Sequence, residues 1–290
     1  MNRRTLLKTA LLGASALALR PVLARTAREA DAEARLAALE RRHGGRLGVA
    51  ILDTGNGRRY GHRADERFLM CSTHKVLTVG AVLARVDLGA ERLDRRVVFD
   101  RAAVLSWAPV TSRHVGAPGM TVAELCEAAI TVSDNTADNL LLASLGGPPA
   151  VAAFARRLGD PLTRLDRIEP ALNVGAEGDL RDTTTPNAML GDLHALLLGD
   201  ALSTTSRDRL AAWMRATRTG LDKLRAGVPG DWQEGDKTGS GANDETNDIA
   251  IFWPSRRKPL LVTAYLAGSM ADAAGRSAVL AEVGRVAAAV

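Results

Sequence analysis

The sequence predicts a mixed α/β (α+β) fold, with one antiparallel sheet of about five strands beside an all-helical part. Strand-like segments occur near both ends of the chain, whereas helical periodicity fills its middle. We assign residues 25–66 and 217–290 to a sheet domain and residues 67–216 to an all-helical domain. Because a sheet must bury its apolar face, we expect terminal helices to cover it and a functional cleft to lie between the two domains.

Hydrophobic periodicity predicts the elements in chain order. A helix is predicted at 27–43, followed by a hairpin in which a strand at 46–53 turns at 54–57 and returns from Arg58. The remaining predicted elements are helices at 72–86, 121–131, 134–145, 148–158, 186–198 and 206–217, strands at 232–238, 247–253 and 259–267, and a last helix at 272–289.

The first 24 residues predict an export signal. Arg3, Arg4 and Lys8 precede an apolar stretch that runs to about Leu19, and a segment with small residues ends at Ala24. This is the order of a signal peptide, and the paired arginines resemble a twin-arginine signal. The apolar stretch is too short for a stable membrane span. We therefore expect cleavage after Ala24, a periplasmic or secreted protein, and no membrane span in the mature chain.

The charge balance gives no reason to expect nucleic acid or a membrane surface as a partner. The formal charge is +5, and four basic residues with no acidic residue lie in 1–24, so the mature chain would carry +1. The five histidines lack the paired spacing of metal ligands. We expect a monomer with no metal and no cofactor, whose partner is a small molecule.

The two cysteines, Cys71 and Cys126, could form a disulfide in an oxidising compartment. Cys71 stands at the start of one predicted helix and Cys126 lies inside another. Because cysteine is among the residues most often buried in protein cores, we expect two buried thiols instead of a bridge.

Ser72 and Lys75 are the first candidate catalytic residues. Ser72 stands in the first turn of the predicted helix 72–86, and residues three apart on a helix are neighbours on one face. A serine becomes a nucleophile when a base accepts its proton, and a lysine with a lowered pKa can be that base. The helix N-terminus also offers N–H groups to a developing oxyanion. The pattern alone is weak, because Ser255 and Lys258 repeat it where a solvated turn is expected.

Two further groups of polar residues lie at the ends of predicted elements. Ser133 and Asn135 fall between two helices, where a loop can present them to a cleft, although Ser-Asp-Asn also suits a helix N-cap. Lys237, Thr238 and Ser240 end a predicted strand that contains glycine, so a ligand backbone can lie close alongside. A lysine and two hydroxyls there would bind a carboxylate. The alternative for this segment is a flexible turn.

A long connection between helices precedes Thr185. Roughly 25 residues have no predicted helix or strand, and loops of that length are usually functional or disordered. Arg167 with Asp182, and Arg164 with Asp179, are expected to pair and hold the loop in a compact form.

Glu169 and Asn173 lie in the middle of this loop. If the loop is compact, these two side chains could hold one water molecule between them. The alternative is a solvated surface loop with charged ends.

In this order and spacing, the four groups resemble the motifs of the class A serine β-lactamases. The resemblance covers essentially the whole mature chain. It implies that Ser72 attacks the lactam carbonyl and forms an acyl-enzyme, that Lys75 assists removal of the Ser72 proton, and that Ser133 relays a proton to the leaving nitrogen. Glu169, with Asn173, would position and activate the hydrolytic water.

The resemblance also implies a set of substrate contacts. A side-chain amide of the substrate would bind Asn135, and the substrate carboxylate would bind Lys237, Thr238 and Ser240. Arg276 is a further candidate contact to that carboxylate. Trp107 matches an aromatic residue of the cleft wall, a position that an ordinary half-exposed aromatic side chain would also explain.

The implied activity is hydrolysis of the β-lactam amide of penicillins and cephalosporins. Penicillin-binding peptidases share three of the four motifs but hold the acyl group for a long time. A glutamate placed to activate water, Glu169, favours hydrolysis over this alternative. A non-catalytic β-lactam sensor domain and an exported serine amidase acting on another amide are further alternatives.

Overall fold

The computed structural model describes residues 27–290, and the predicted signal segment 1–24 lies outside the described residues. None of the helices within 27–290 is both long and apolar enough to cross a membrane. In chain order the elements are α1 (27–43), β1 (Arg46–Asp53), β2 (Arg58–His62), β3 (Phe68–Leu69), α2 (Lys75–Asp87), β4 (Arg96–Val97), β5 (Met120–Thr121), α3 (Val122–Thr131), α4 (Asn135–Leu145), α5 (Pro148–Leu158), β6 (Thr183–Thr184), α6 (Pro186–Leu197), α7 (Thr204–Arg215), β7 (Gln233–Ser240), β8 (Thr246–Trp253), β9 (Leu260–Ala267) and α8 (Ala273–Ala289).

The predicted five-stranded antiparallel sheet is confirmed, and it contains strands from both ends of the chain. The spatial order is β2-β1-β9-β8-β7, so the first strand lies between its hairpin partner and the last strand. β1 pairs with β9 along its whole length, from Arg46 opposite Ala267 to Asp53 opposite Leu260. β7 forms one edge of the sheet.

Both faces of the sheet are covered, because successive side chains of a strand point to opposite faces. Leu47, Val49 and Ile51 of β1 pack with α1 and α8, as expected for the terminal helices. Ala50 and Leu52 point the other way and belong to the core of the helical part.

Helix α2 is the centre of the helical part. Every residue from Lys75 to Leu83 is buried, which is typical of a helix surrounded by others. Gly80 permits this close packing, because a Cβ at that position would lie only 2.9 Å from Cδ2 of Leu196 on α6. The nucleophile candidate therefore begins the most enclosed helix of this part.

The structure adds details that the sequence did not reveal. One turn of 3₁₀ helix, Cys71–His74, precedes α2, so the regular helix begins at Lys75 instead of residue 72. Two short strand pairs, β3 with β6 and β4 with β5, lie within residues 67–216, for which the sequence predicted helices and loops but no strand. Each of these strands has two residues, too few to show an alternating pattern.

The long loop (residues 159–182) is held by one of its two predicted ion pairs. Arg167 Nε donates to Asp182 Oδ2 at 2.5 Å, and the Asp182 side chain is fully buried. The predicted pair of Arg164 with Asp179 is wrong. Arg164 instead binds Asp166, and Asp179 binds Arg181. An ion pair between residues two positions apart restricts fewer torsions than a pair across the loop. It therefore forms at a lower cost in conformational entropy.

The carboxyl groups of Asp160 and Asp192 lie close together. Asp160 follows the end of α5 at the start of the long loop, and Asp192 is on α6. Asp192 on α6 is buried, and neither of its carboxylate oxygens meets a hydrogen-bond donor among the described residues. Burial, together with the neighbouring charge of Asp160, raises the pKa of Asp192 to about 9. The folded protein therefore keeps a proton on Asp192 at neutral pH, whereas the unfolded chain releases it above about pH 4. This difference removes stability progressively as the pH rises from about 4 to about 9.

We expect Asp192→Asn to stabilise the protein by about 1–3 kcal/mol at pH 8, because the amide keeps the size of the side chain without needing a proton. The gain should shrink at pH 5. Thermal unfolding at both pH values measures it, with Asp208→Asn, an exposed change on α7, as the matched control. A gain that is equal at the two pH values would contradict the protonated Asp192.

Candidate active site

The predicted site residues surround a cavity between the helical part and the sheet. Its volume is about 340 Å³. All ten predicted catalytic and substrate-binding residues line it or contact a residue that does; Lys75, Glu169 and Lys237 are the buried members beneath it. The lining residues are Ser72, Trp107, Ser133, Asn135, Asn173, Thr219, Lys223, Thr238, Gly239 and Ser240.

Trp107 lines the outer wall of this cavity. The residue is 55% exposed, and its Nε1–H donates to the carbonyl oxygen of Val132 at 3.1 Å. The sequence left open whether Trp107 belongs to a cleft or is an ordinary surface aromatic. The cavity position favours the first interpretation.

Ser72 lies in the 3₁₀ turn before α2, at the floor of the cavity. The preceding residue, Cys71, has a φ of +47°, a backbone conformation that is rare for residues other than glycine. The Ser72 hydroxyl donates to Glu169 Oε1 at 3.3 Å. No hydrogen bond joins the Ser72 hydroxyl to the Lys75 amine within the part of the chain that the structure describes, although the sequence predicted that the two would meet. Both groups instead contact Glu169 Oε1.

Lys75 joins the candidate residues from different segments. Its Nζ forms an ion pair with Glu169 Oε1 at 2.9 Å, and both side chains are completely buried. The same ammonium donates to Asn135 Oδ1 at 2.6 Å and to Ser133 Oγ at 3.2 Å. The two residues of the Ser-Asp-Asn segment therefore face the same cation.

The segment between α3 and α4 both caps a helix and builds the site. Asp134 is the N-cap of α4, where its side chain accepts from Ala137 N. Ser133 has a φ of +58°, and its hydroxyl oxygen accepts from Lys75 and, at 3.1 Å, from Lys237. A strained backbone fixed by two lysines holds the Ser133 hydroxyl in one place. Capping and site formation, posed as alternatives from the sequence, are both realised.

Lys237 and the residues after it form the opposite wall on β7. Lys237 is completely buried, and burial followed by the charge of Lys75 lowers the pKa of Lys237 to about 7. An anionic ligand would restore the charged form of this lysine. The hydroxyls of Thr238 and Thr219 are 2.7 Å apart at the cavity surface. Gly239 allows β7 to approach the turn Cys71–His74 that carries the candidate nucleophile Ser72 (the nucleophile turn), because a Cβ at residue 239 would lie 2.8 Å from the carbonyl oxygen of Met70.

Glu169 is fixed on both its backbone and its carboxylate. Asn173 Nδ2 donates to Glu169 Oε2 at 2.5 Å. Asn139 makes a reciprocal pair with the Glu169 backbone, donating to its carbonyl at 2.9 Å and accepting from its N–H at 3.0 Å. The long loop thus places a carboxylate beside Ser72 instead of in solvent, which excludes a loop that is merely a solvated surface segment.

Sequence reasoning missed three residues of this site. Asn139 had a detectable signal, since it follows Asn135 by four positions and must share a face of α4 with it. Thr219 and Lys223 line the cavity from an irregular segment before β7, where no motif or periodicity marks them.

Other expectations have clear outcomes. Both cysteines are free and buried, as predicted. The repeated pattern at Ser255 and Lys258 lies in an exposed turn between β8 and β9, also as predicted. Arg276 does not line the cavity, because its guanidinium is held by Asp244, Thr246 and the carbonyl of Ala271.

The structure also gathers three groups that could ligate a metal. A nitrogen of His74 and one carboxylate oxygen each from Asp138 and Glu169 lie within 4.8 Å of one another. The spacing of the histidines along the sequence gave no sign of this triplet, because its three residues come from separate segments. His74 already bonds to Asp138, and Glu169 to Lys75, so these atoms are engaged with protein partners. The absence of a metal from the reaction stays a prediction.

Comparisons with known proteins agree with this geometry. Residues 31–290 match the model of the β-lactamase enzyme family. The chain is 49% identical to β-lactamase L2 of Stenotrophomonas maltophilia, over 99% of this chain and 97% of that protein. It is 45% identical to β-lactamase OXY-1 of Klebsiella oxytoca, over 96% of each.

A solved ancestral class A β-lactamase is similar in both structure and sequence. The TM-score is 0.87 at 60% identity, and the match covers 88% of this chain and 98% of the ancestral one. With the family model, the curated relatives and the solved structure in agreement, the chain belongs to the class A β-lactamases and is a β-lactam hydrolase.

Proposed function

We propose that this enzyme hydrolyses penicillins and cephalosporins through an acyl-enzyme on Ser72, and that water activated by Glu169 releases the acyl group. One observation carries the proposal. The buried carboxylate of Glu169 contacts the Ser72 hydroxyl, the Lys75 ammonium and the Asn173 amide at the same time. A base in that position can act on the nucleophile and on a water molecule at the acyl carbon.

In acylation, the Ser72 oxygen would bond to the lactam carbonyl carbon while its proton passes to the Glu169–Lys75 pair. Collapse of the tetrahedral intermediate breaks the lactam C–N bond, and the nitrogen takes a proton through Ser133. The Ser133 hydroxyl suits this relay, because it accepts hydrogen bonds from Lys75 and Lys237 and keeps its own proton for the leaving nitrogen.

Substrate binding would use the two walls of the cavity. Lys237, Thr238 and Ser240 on β7 would hold the carboxylate, and Asn135 would hold the side-chain amide. Lysine and hydroxyl donors in a partly dehydrated site favour an anionic ligand group. Trp107 would cover the outer part of the substrate, which leaves the lactam carbonyl above Ser72.

The alternative is a penicillin-binding peptidase that releases its acyl group slowly. Turnover at ~10 s⁻¹ corresponds to a barrier of about 16 kcal/mol, and an acyl-enzyme that lasts hours to about 23. One positioned general base supplies ~10²–10⁴-fold of this difference. Orientation of the attacking water can supply the rest. Glu169 with Asn173, on a loop held by Arg167 and Asp182, offers both contributions, and this favours hydrolysis.

We also propose that the protein is exported, to the periplasm or the medium, and acts there as a monomer. The basic, apolar and small-residue order of residues 1–24 supports export. N-terminal sequencing of the protein from a periplasmic extract would test it, with Arg25 as the expected first residue.

We expect Glu169→Ala to trap the covalent penicillin adduct on Ser72, because the variant lacks the base that activates water. Deacylation should slow about 10²–10⁴-fold. Intact-protein mass spectrometry after mixing with a penicillin measures the adduct. Glu177→Ala, which removes an exposed acid of the same loop, should turn over normally. A Glu169→Ala protein that turns over at the unmodified rate, with no adduct, would refute the role of Glu169.

Arg167→Ser should loosen the long loop, because it removes the side-chain partner of the buried Asp182. We expect kcat to fall about tenfold and proteolysis within residues 159–182 to become faster. Arg181→Ser, which breaks only a local exposed pair, is the matched control and should change neither. Equal kinetics and equal proteolysis for the two variants would argue against the clamp.

A further inference from the structure

His74 and Asp138 form a buried pair directly behind the catalytic groups. His74 is the residue before Lys75, and Asp138 follows Asn135 by one turn of α4. Both side chains are completely buried. His74 Nε2 lies 2.8 Å from Asp138 Oδ2, and His74 Nδ1 lies 2.7 Å from the carbonyl oxygen of Cys71. The pair therefore joins the nucleophile turn to the helix that carries the substrate-binding asparagine.

The partners of the ring indicate its charge. A carbonyl oxygen accepts hydrogen bonds only, and an ionised carboxylate accepts only. A neutral imidazole has one donor, so it can satisfy one of these two partners and not both. The imidazolium form of His74 satisfies both. The geometry thus describes a cation on His74 facing an anion on Asp138.

Four charged groups then stand together in the interior. His74 faces Asp138 of α4 and Glu169 of the long loop, and Lys75 is the next residue in the chain. Lys237 of β7 is a fifth titratable group that acts on Lys75 and Glu169. Burial alone would lower the pKa of His74, but Asp138 and then Glu169 outweigh burial and raise it. Two cations and two anions leave these four groups neutral, and Lys237, which lies beyond Ser133 and has its pKa lowered to about 7, carries only part of a charge at neutral pH. If His74 were neutral, the cluster would carry one uncompensated negative charge.

We propose that His74, as an imidazolium paired with Asp138, is a positioning residue that keeps Glu169 ionised and in place for catalysis. Without the imidazolium, the buried Asp138 carboxylate would oppose the ionised form of its neighbour Glu169, because like charges in a dehydrated site disfavour each other. This inference rests on the proposed role of Glu169 as the base.

The charge count makes an asymmetric prediction for the two single variants. His74→Asn leaves Asp138 and Glu169 with the single cation of Lys75, so the two buried carboxyl groups compete for one proton, and the acidic limb of the pH profile of kcat/KM should move up by about one pH unit. At pH values below that limb, this shift is a loss of about tenfold in rate. Asp138→Asn lets His74 lose its proton, so the cluster stays neutral and the limb should stay at or below its original position.

The double variant His74→Asn/Asp138→Asn separates charge compensation from structural support. It removes one charge of each sign, so its acidic limb should return close to that of the unmodified enzyme. Leu142→Ala removes buried volume on the same helix α4 and should lower thermal stability without moving the limb. An unmoved limb in His74→Asn, or a double variant whose limb matches that of His74→Asn, would overturn the inference.

The protonation of His74 itself can also be measured, which tests the inference even if His74→Asn fails to fold. When the other four histidines are replaced by glutamine, ¹⁵N NMR of the labelled imidazole reports the charge of His74 alone. Two protonated ring nitrogens at pH 7 are expected, and a neutral ring would overturn the inference. Full turnover of Glu169→Ala would instead overturn the proposed function, which is a different result from failure of these His74 measurements.

Discussion

The structure depends on one buried ion pair, between Lys75 and Glu169. Taking two charges out of water costs several kcal/mol for each ion, and attraction between them compensates only with good geometry and additional hydrogen bonds. The surrounding residues supply those bonds. Asn135 and Ser133 bind the ammonium, and Asn173 binds the carboxylate. The segment before α4 and the long loop therefore stabilise this pair as well as forming the site.

The same constraint explains how the long loop is attached. Its carboxylate must reach a fixed ammonium at 2.9 Å, so the loop backbone cannot drift. Asn139 binds the backbone of Glu169 from α4, and Asp182 fastens the end of the loop through the side chain and backbone of Arg167. The segment around Glu169 therefore has a well-defined position, although it has no long helix or strand. The proposed deacylation needs such a position, because water would have to approach the acyl carbon in one orientation.

Much of this architecture could be predicted from the sequence. Long periodic segments fixed the helices and the strands of the sheet within a few residues, and the motif residues do converge on one cavity. The two-residue strands β3 to β6 could not be predicted, because they exist only through pairing across the chain. The predicted pair of Arg164 with Asp179 was wrong because each side chain binds a partner two residues away. The sequence does not reveal which of two oppositely charged side chains lies nearer in the fold. Lys223 and the His74–Asp138 pair became visible only when irregular segments and different helices were seen side by side.

The pairing of β1 with β9 has a consequence for how the enzyme comes into being. Arg46 lies opposite Ala267, so the first strand of the sheet has its central neighbour only when nearly the whole polypeptide is present. Such distant pairing makes folding slow relative to helical proteins of similar size. β7, which carries Lys237, is attached through β8 to that late strand. A chain that ends before β9 would lack the strand to which β8 and β7 attach, and with it the support of the cavity wall that carries Lys237. Antibiotic hydrolysis would then report that the whole sheet has been assembled.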